Sequence, residues 1–158
     1  MPNVKPKPDG YNNVTPYLYL RNAPKAIEFY RNVFGAKEIM RMPGPDGKIM
    51  HAEIKIGDSV IMLTEENQQM NALGPLTVGG SSSSLYVYVD DVDAVAQKAV
   101  SAGAKLTRAV KDQFYGDRSG SFTDPFGYVW SVGTHIEDVT PEEVGKRAAK
   151  AMSQGAGS

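Results

Sequence analysis

Hydrophobic and polar residues follow one pattern twice along the chain. In the first copy, residues 14–20 alternate as in a strand, and the apolar positions after Pro24 recur with helical spacing up to Gly35. Three strand-like stretches follow, at residues 37–42, 49–56 and 59–64. The second copy predicts a strand, a helix and three strands at residues 84–89, 92–102, 105–110, 119–123 and 128–134. Each copy therefore predicts a β-α-β-β-β module.

The amino acids themselves repeat, not only their pattern. Thr15-Pro-Tyr-Leu-Tyr-Leu20 returns 69 residues later as Ser84-Leu-Tyr-Val-Tyr-Val89, and Gly35-Ala-Lys37 returns 68 residues later as Gly103-Ala-Lys105. Two copies are too few for a solenoid, but two modules can bury each other's open faces. The expected fold class is α+β, with two tandem β-α-β-β-β modules whose strands form a curved mixed or antiparallel sheet around a shared cleft.

The segments outside the modules are short. We expect an N-terminal arm at residues 1–12, the first module at 13–65, a linker rich in glycine and serine at 66–83, the second module at 84–136, and a C-terminal helix and tail at 137–158. Thr140, Pro141 and Glu143 predict the start of the last helix as N-cap, first-turn proline and capping-box residue. That helix should end near Met152, with frayed residues beyond it. The length fits one domain overall.

Alternation along the strands separates two faces of the predicted sheet. One face is aliphatic apart from Trp130, and we expect it to pack on the helices; it includes Val14, Leu18, Leu20, Ala52, Ile54, Ile56, Ile61, Leu63, Leu85, Val87, Val89, Trp130 and Val132. The other, mixed face includes Thr15, Tyr17, Tyr19, His51, Glu53, Met62, Thr64, Ser84, Tyr86, Tyr88 and Ser131. Apolar area with a few orienting polar groups is typical of a small-molecule cavity. The alternative is that the tyrosines bridge two sheets in a half-wet core.

The overall composition excludes several classes of partner. With a net charge of −1 and 22% charged residues, the chain has no broad field to attract nucleic acid or anionic lipid. No apolar stretch approaches the roughly 18 residues that a bilayer span needs, and the polar N-terminus lacks a signal-peptide core. The absence of cysteine excludes disulfides and thiolate zinc sites. We expect a cytoplasmic protein that binds neither nucleic acid nor membranes.

Several short motifs, in this order, resemble one superfamily. Ile27-Glu-Phe-Tyr30, Phe34-Gly-Ala36, Gly116-Asp-Arg118 and Asp124-Pro-Phe-Gly127, on paired β-α-β-β-β modules, resemble the vicinal oxygen chelate superfamily. Met42-Pro-Gly-Pro-Asp-Gly47, His51-Ala-Glu-Ile54 and Asp112-Gln-Phe-Tyr-Gly-Asp-Arg118 resemble most its glyoxalase/bleomycin-resistance branch, which includes proteins labelled demethylubiquinone-methyltransferase-like. The resemblance covers residues 12–150 and implies a homodimer.

The resemblance also implies where a metal would bind. Enzymes of this superfamily hold a divalent ion with His and Glu at four strand positions, which fall here on Thr15, Met62, Ser84 and Ser131. Hydroxyls are poor neutral donors to a divalent ion, and a thioether prefers soft metals. We therefore expect no metal at these positions, and no cofactor. His51 and Glu53 share a face and could bind a metal elsewhere, although a catalytic zinc site needs about three protein ligands.

Two functions fit these observations. The first is a metal-free, glyoxalase/bleomycin-resistance-like protein that binds a small aromatic or amphipathic molecule in the tyrosine-lined cleft. The second is a metal-independent isomerase, lyase or hydrolase in which Glu53 orients His51 as a general base and Arg118 clamps an anionic group.

The polar candidates also have structural alternatives. His51 and Glu53 could form a structural polar pair, or Glu53 could pair across strands with Arg41. Arg118 could hold its own loop through Asp117 or Asp112. Gln113 and Tyr115, on the same loop, are expected at the rim or lid of the cleft.

Overall fold

The computed structural model describes residues 4–155, and its elements follow the predicted order. The strands are β1 (Tyr17–Leu20), β2 (Lys37–Pro43), β3 (Ile49–Ile56), β4 (Ser59–Glu65), β5 (Ser84–Tyr88), β6 (Lys105–Asp112), β7 (Asp117–Thr123) and β8 (Val129–His135). The α-helices are α1 (Ala23–Phe34), α2 (Pro75–Val78), α3 (Val92–Ser101) and α4 (Pro141–Gly155). The predicted α+β fold of two β-α-β-β-β modules is confirmed.

Each module forms one four-stranded mixed sheet. The strand order is β1-β4-β3-β2 in the first sheet and β5-β8-β7-β6 in the second. In both sheets the first strand pairs in parallel with the last strand of its module, and the other pairs are antiparallel. The sequence repeat is preserved in the register, because Tyr17 lies opposite Met62 and Tyr86 lies opposite Ser131.

The chain divides into two compact units. The first contains residues 4–82 together with Phe126–Tyr128, and the second contains Ser83–Pro125 together with residues 129–155. In the first unit α1 packs on β3 and β4, and in the second unit α3 packs on β6, β7 and β8.

Helix α1 begins at Ala23, with Pro24 in its first turn, and ends with Gly35 as its C-cap, as predicted. The Asn22 side chain caps the first turn by accepting from the Lys25 N–H at 3.3 Å, and Pro24 sits within that turn, where its missing N–H costs nothing. Gly35 ends the helix in the left-handed conformation, with φ of 67°. The buried side of the helix consists of Ala23, Ala26, Ile27, Phe29, Tyr30 and Val33.

Most of the aliphatic face of the strands is buried, as alternation predicts, while Leu85, Val87 and Val89 are half-buried. Its most buried members, none above 4% exposed, are Leu18, Leu20, Ala52, Ile54, Ile61, Leu63, Trp130 and Val132. The Trp130 indole donates to Asp124 Oδ2 at 2.8 Å, which gives the aspartate of the Asp124-Pro-Phe-Gly127 turn a structural role. The prediction for Val14 is wrong, since it is 84% exposed. Pro16 has no N–H to donate, and β1 begins only after it.

Three segments are more regular than the sequence indicates. The predicted loop at 111–118 is shorter, because β6 continues to Asp112 and β7 already begins at Asp117. The linker at 66–83 contains α2 and is fastened by Glu66, which accepts from the Gly74 N–H at 2.9 Å and from Arg21 Nε at 2.8 Å. Helix α4 passes the predicted end and continues to Gly155; the last three residues lie outside the described range. Within residues 4–155, no helix is long and apolar enough to cross a membrane.

Candidate ligand-binding site

A line of hydrogen bonds crosses the mixed face of the first sheet. Tyr17 lies on β1, and His51 and Glu53 lie two residues apart on β3, so alternation along the strands brings them to one face. The Tyr17 hydroxyl lies 3.0 Å from His51 Nδ1, and His51 Nε2 lies 3.1 Å from Glu53 Oε1. From the N-terminal arm, the Tyr11 hydroxyl donates to Glu53 Oε2. Tyr11, Tyr17, His51 and Glu53 together form the Glu53 network.

The network is satisfied with Glu53 ionised. Glu53 is only 6% exposed, yet its pKa is lowered, because the hydrogen bond from Tyr11 and a weaker one from His51 outweigh the rise that burial causes. A carboxylate can only accept, so His51 donates from Nε2 and, in a neutral ring, accepts at Nδ1 from Tyr17; these proton positions follow from the bonding pattern. Burial raises the pKa of Tyr17, which keeps its hydroxyl a donor.

Two hollows lie along this face of the first unit. The larger, of about 610 Å³, is the tyrosine hollow; it is lined by Tyr17, Tyr19, Pro45, Lys48, Ile49, Met50, Thr64, Glu65, Glu66, Asn67, Met70 and Ala72. The second, of about 580 Å³, is the arm hollow; it is lined by Pro6, Lys7, Pro8, Tyr11, Asn12, Asn13, Thr15, Glu53 and Met62. The Glu53 network joins them, because Tyr17 lines the first hollow and Glu53 the second.

The second unit carries a different polar centre on the equivalent face. Asp117, at the start of β7 and 4% exposed, accepts at Oδ2 from the hydroxyls of Tyr86 at 3.0 Å and Tyr88 at 3.1 Å. Its Oδ1 lies 2.8 Å from His135 Nδ1, and His135 Nε2 lies 2.9 Å from Asp138 Oδ1. One buried carboxylate therefore fixes both tyrosine rings, whose centroids are 5.0 Å apart.

The hydrogen bonds of this centre shift the pKa values of Asp117, Tyr86 and His135. Burial alone would raise the pKa of Asp117, but hydrogen bonds from His135, Tyr86 and Tyr88 outweigh it and leave the pKa lowered. Burial, and then the bond to Asp117, raises the pKa of Tyr86 to about 12. Hydrogen bonds to Asp138 and then to Asp117 raise the pKa of His135. Both phenols thus remain protonated donors at neutral pH.

The structure distributes the predicted site residues unevenly. In the first unit, Thr15, Glu53 and Met62 line the arm hollow, Tyr17, Tyr19 and Thr64 line the tyrosine hollow, and His51 bridges Tyr17 to Glu53. In the second unit, the hydroxyls of Tyr86 and Tyr88 both bind Asp117. Tyr115 is hydrogen-bonded to the Ser119 hydroxyl, and Gln113 donates to the backbone carbonyls of Lys111 and Ser119. The Ser131 hydroxyl is hydrogen-bonded to Ser121, and Ser84 is exposed at the start of β5.

Arg118 does not lie with the tyrosines. It is adjacent to Asp117 on β7 and therefore points to the opposite, helix-packed side of the sheet. Its guanidinium binds Asp93 of α3 at 2.7 and 2.8 Å and Asp112 at 2.9 Å. Arg118 therefore forms the predicted salt bridge to Asp112. Its guanidinium points away from the tyrosine-bearing face, so it does not reach a ligand bound there. Arg41 likewise pairs with Glu38, at 2.7 Å, and not with Glu53.

Sequence reasoning missed Tyr11 in the first centre, and it missed Asp117, His135 and Asp138 in the second. Asp117 shares strand parity with Ser119 and Ser121, so a strand prediction that began two residues earlier would have placed it beside the tyrosines. Tyr11 lies in an arm without periodicity, and no signal in the sequence indicates its contact with Glu53.

The residues at the four superfamily metal positions do not fit a divalent metal. Thr15 and Met62 offer a hydroxyl and a thioether, while the Ser131 hydroxyl is bonded to Ser121 at 3.0 Å. Throughout residues 4–155, no three His, Asp or Glu side chains come together in a group that could hold a metal ion.

The chain was compared with known proteins. A sequence model of the glyoxalase/bleomycin resistance protein/dioxygenase superfamily matches residues 11–132. An uncharacterised protein of Mycobacterium bovis is 40% identical over 147 residues, which cover 91% of this chain and 95% of that protein.

Solved structures share the fold. A putative 3-demethylubiquinone-9 3-methyltransferase, the PhnB protein of Bacillus cereus, superposes with a TM-score of 0.61 at 18% identity, over 78% of this chain and 99% of that one. The fosfomycin resistance protein FosX of Listeria monocytogenes gives a TM-score of 0.60 at 17% identity, over 84% of this chain and 97% of that one. At these identities the likeness concerns the fold alone.

Proposed function

Because the chain belongs to the glyoxalase/bleomycin resistance protein/dioxygenase superfamily, we propose that it binds a small aromatic or amphipathic molecule in the tyrosine hollow, without a divalent metal. The observation that carries this proposal is the pair of tyrosine rings that lines the hollow. Tyr17 and Tyr19 meet edge to face with centroids 5.5 Å apart, and Tyr17 remains 41% exposed although its hydroxyl is held by His51. A ring fixed at one end and open on its face is suited to stacking.

The rest of the hollow supplies adaptable apolar surface. Met50 is 58% exposed and Met70 is 78% exposed, and both line the hollow. Methionine side chains are flexible and polarisable, so they adjust to irregular ligands and make favourable contacts with aromatic rings. An aromatic ligand would therefore contact tyrosine rings and methionine thioethers together.

The charged groups of the hollow favour an acidic end on the ligand. The Glu65 carboxylate accepts from the backbone N–H groups of Asn22 and Ala23 at the start of α1, and Glu66 is paired with Arg21. Among the described residues no hydrogen bond or ion pair engages the Lys48 ammonium, which also lines the hollow. A carboxylate on the ligand would meet Lys48 while the two glutamates stay satisfied elsewhere.

A thermal-shift screen of aromatic carboxylates, run with and without chelator, tests this proposal. A ligand at about one hundred times its Kd stabilises the folded state by roughly 2.7 kcal/mol, which such a screen detects. Tyr17→Ala should weaken binding about tenfold or more, Tyr17→Phe should retain most of it, and Lys48→Met should affect only acidic ligands. Phe114→Ala, which removes an exposed aromatic ring in the other unit, is the matched control.

Two results would contradict the proposal. Binding that disappears with chelator and returns with a stoichiometric divalent ion would refute metal independence. Equal affinity of the ligand for the wild type and for Tyr17→Ala would show that the ligand does not bind in the tyrosine hollow. The homodimer implied by the resemblance stays a prediction, which the mass of the purified protein in solution tests.

The Glu53 network favours a second candidate function, metal-independent acid–base catalysis. Glu53 orients His51, as a general base requires, but Tyr17 occupies the accepting Nδ1 of His51. His51 could therefore act as a base only if a substrate displaced the Tyr17 hydroxyl from Nδ1 and offered its own proton to that nitrogen. Turnover that survives chelator and is lost in both His51→Ala and Glu53→Ala would establish this function instead.

A further inference from the structure

The N-terminal arm places a phenol on a buried carboxylate. We propose that the arm hollow is a second binding site, separate from the tyrosine hollow, for a phenol-bearing molecule that replaces Tyr11 on Glu53. The proposal goes beyond the function proposed above, since it assigns another hollow, another recognition group and another ligand chemistry.

Glu53 needs a donor at the position that Tyr11 fills. The carboxylate is 6% exposed and ionised, and His51 occupies only its Oε1. Because a buried charged acceptor without a partner is costly, Oε2 must be satisfied by some donor. The hydroxyl of Tyr11 provides it, so the chain itself shows that a phenol reaches Oε2.

Few other hydrogen bonds hold Tyr11, although its side chain is half-buried. Residues 4–16 contain no helix or strand, and the Tyr11 N–H makes one long bond, of 3.4 Å, to the Pro8 carbonyl. The ion pair of the arm, between Lys5 and Asp9, is local and highly exposed, so it contributes little. A ligand phenol would make the same hydrogen bond to Glu53 that Tyr11 loses. The exchange therefore costs mainly the packing of the half-buried Tyr11 ring and the few hydrogen bonds that order the arm, and the ring of the ligand can replace that packing.

The surroundings favour a phenol over an amine. A phenol is the group that already fits Oε2, and an ammonium loses more hydration than a hydroxyl when it enters a hollow with apolar walls. Met62 and Pro8 line the same hollow and present apolar surface to an aromatic ring. The hollow, of about 580 Å³ beside Tyr11, has room for substituents beyond a single ring.

Titrations followed by NMR test this site with three para-substituted probes. The probes are para-ethylphenol, para-ethylanisole, which has no hydroxyl proton, and para-ethylbenzylamine, which is a cation. We expect para-ethylphenol to shift the backbone resonances of Asn12, Asn13 and Thr15, and the other two probes to bind at least tenfold more weakly. Ring resonances of Tyr11 in protein labelled at tyrosine should report its release from Glu53.

Two variants should change the affinity for para-ethylphenol in opposite directions. Tyr11→Phe removes the competing hydroxyl and should tighten binding about tenfold, since the competitor otherwise occupies the carboxylate. Glu53→Gln removes the charge of the acceptor and should weaken binding about tenfold. Asp9→Asn, which breaks the Lys5 pair without touching Glu53, is the control and should leave the affinity unchanged.

The opposite results would overturn the inference. Para-ethylanisole that binds as well as the phenol would show that no hydrogen bond to Glu53 is involved, and a tighter para-ethylbenzylamine would assign the site to cations. An unchanged or weaker affinity in Tyr11→Phe would show that Tyr11 does not compete, even if Glu53→Gln proved unstable. None of these results depends on Tyr17 or Lys48, so the two proposals can fail separately.

Discussion

Gly133 lies directly beneath Tyr86, and replacing it tests how the second polar centre is held together. A Cβ at this position would overlap the Tyr86 hydroxyl and lie 3.0 and 3.2 Å from the ring carbons Cζ and Cε1. The backbone of Gly133 is not in the left-handed region, so Gly133→Ala adds a steric contact without backbone strain. The hydroxyl must retreat by about 1 Å to reach van der Waals distance, which disrupts its 3.0 Å bond to Asp117.

The expected magnitude follows from opposing effects. Alanine in place of glycine restricts the unfolded chain and by itself stabilises by about 0.4–1 kcal/mol. Overpacking costs about 1–3 kcal/mol, and the half-exposed hydrogen bond to a carboxylate contributes about 1 kcal/mol. Gly133→Ala should therefore lower the free energy of unfolding by roughly 1–3.5 kcal/mol. Tyr86→Phe should lower it by about 1 kcal/mol, because it loses only the hydrogen bond.

The double variant separates this mechanism from a general loss of packing. The double variant, Gly133→Ala with Tyr86→Phe, lacks the hydroxyl that clashes with the new Cβ. Its loss of unfolding free energy should therefore be smaller than the sum of the two single-variant losses by about 1 kcal/mol. Urea unfolding followed by the fluorescence of Trp130, the only tryptophan, measures all four proteins. Effects that add within about 0.3 kcal/mol would refute the steric coupling between Gly133 and Tyr86.

Two further predictions concern stability. Gly145→Ala should raise the free energy of unfolding by about 0.5–1 kcal/mol, because Gly145 lies inside α4 with open space around its Cα; thermal unfolding measures this, and a lower Tm would contradict it. His135, whose pKa is raised by Asp138 and Asp117, should stabilise the fold fully below its unfolded pKa of about 6.5 and lose that contribution as the pH rises through the folded pKa. His135→Asn should abolish this part of the pH dependence in urea titrations between pH 6 and about pH 9; an identical pH profile in the variant would exclude His135 as its source.

Much of the candidate site could be predicted because strand geometry is local. Side-chain alternation alone places His51 and Glu53 on one face, and their hydrogen bond of 3.1 Å follows from that spacing. The same rule failed for Arg118 because the start of β7 was placed too late, at residue 119, which hid the parity of residues 117 and 118. An error in a strand boundary therefore moved one functional assignment to the wrong side of a sheet.

The sequence by itself determined the two β-α-β-β-β modules and the division of each sheet into an aliphatic and a mixed face. These features depend on periods of two and 3.6 residues and on capping residues such as Thr140, which are properties of neighbouring positions. Only the tertiary structure decided which polar groups meet, such as Tyr11 with Glu53 and Asp117 with both Tyr86 and Tyr88. Those contacts join residues 29 or more positions apart, and they depend on where the folded backbone brings a buried carboxylate within reach of a donor.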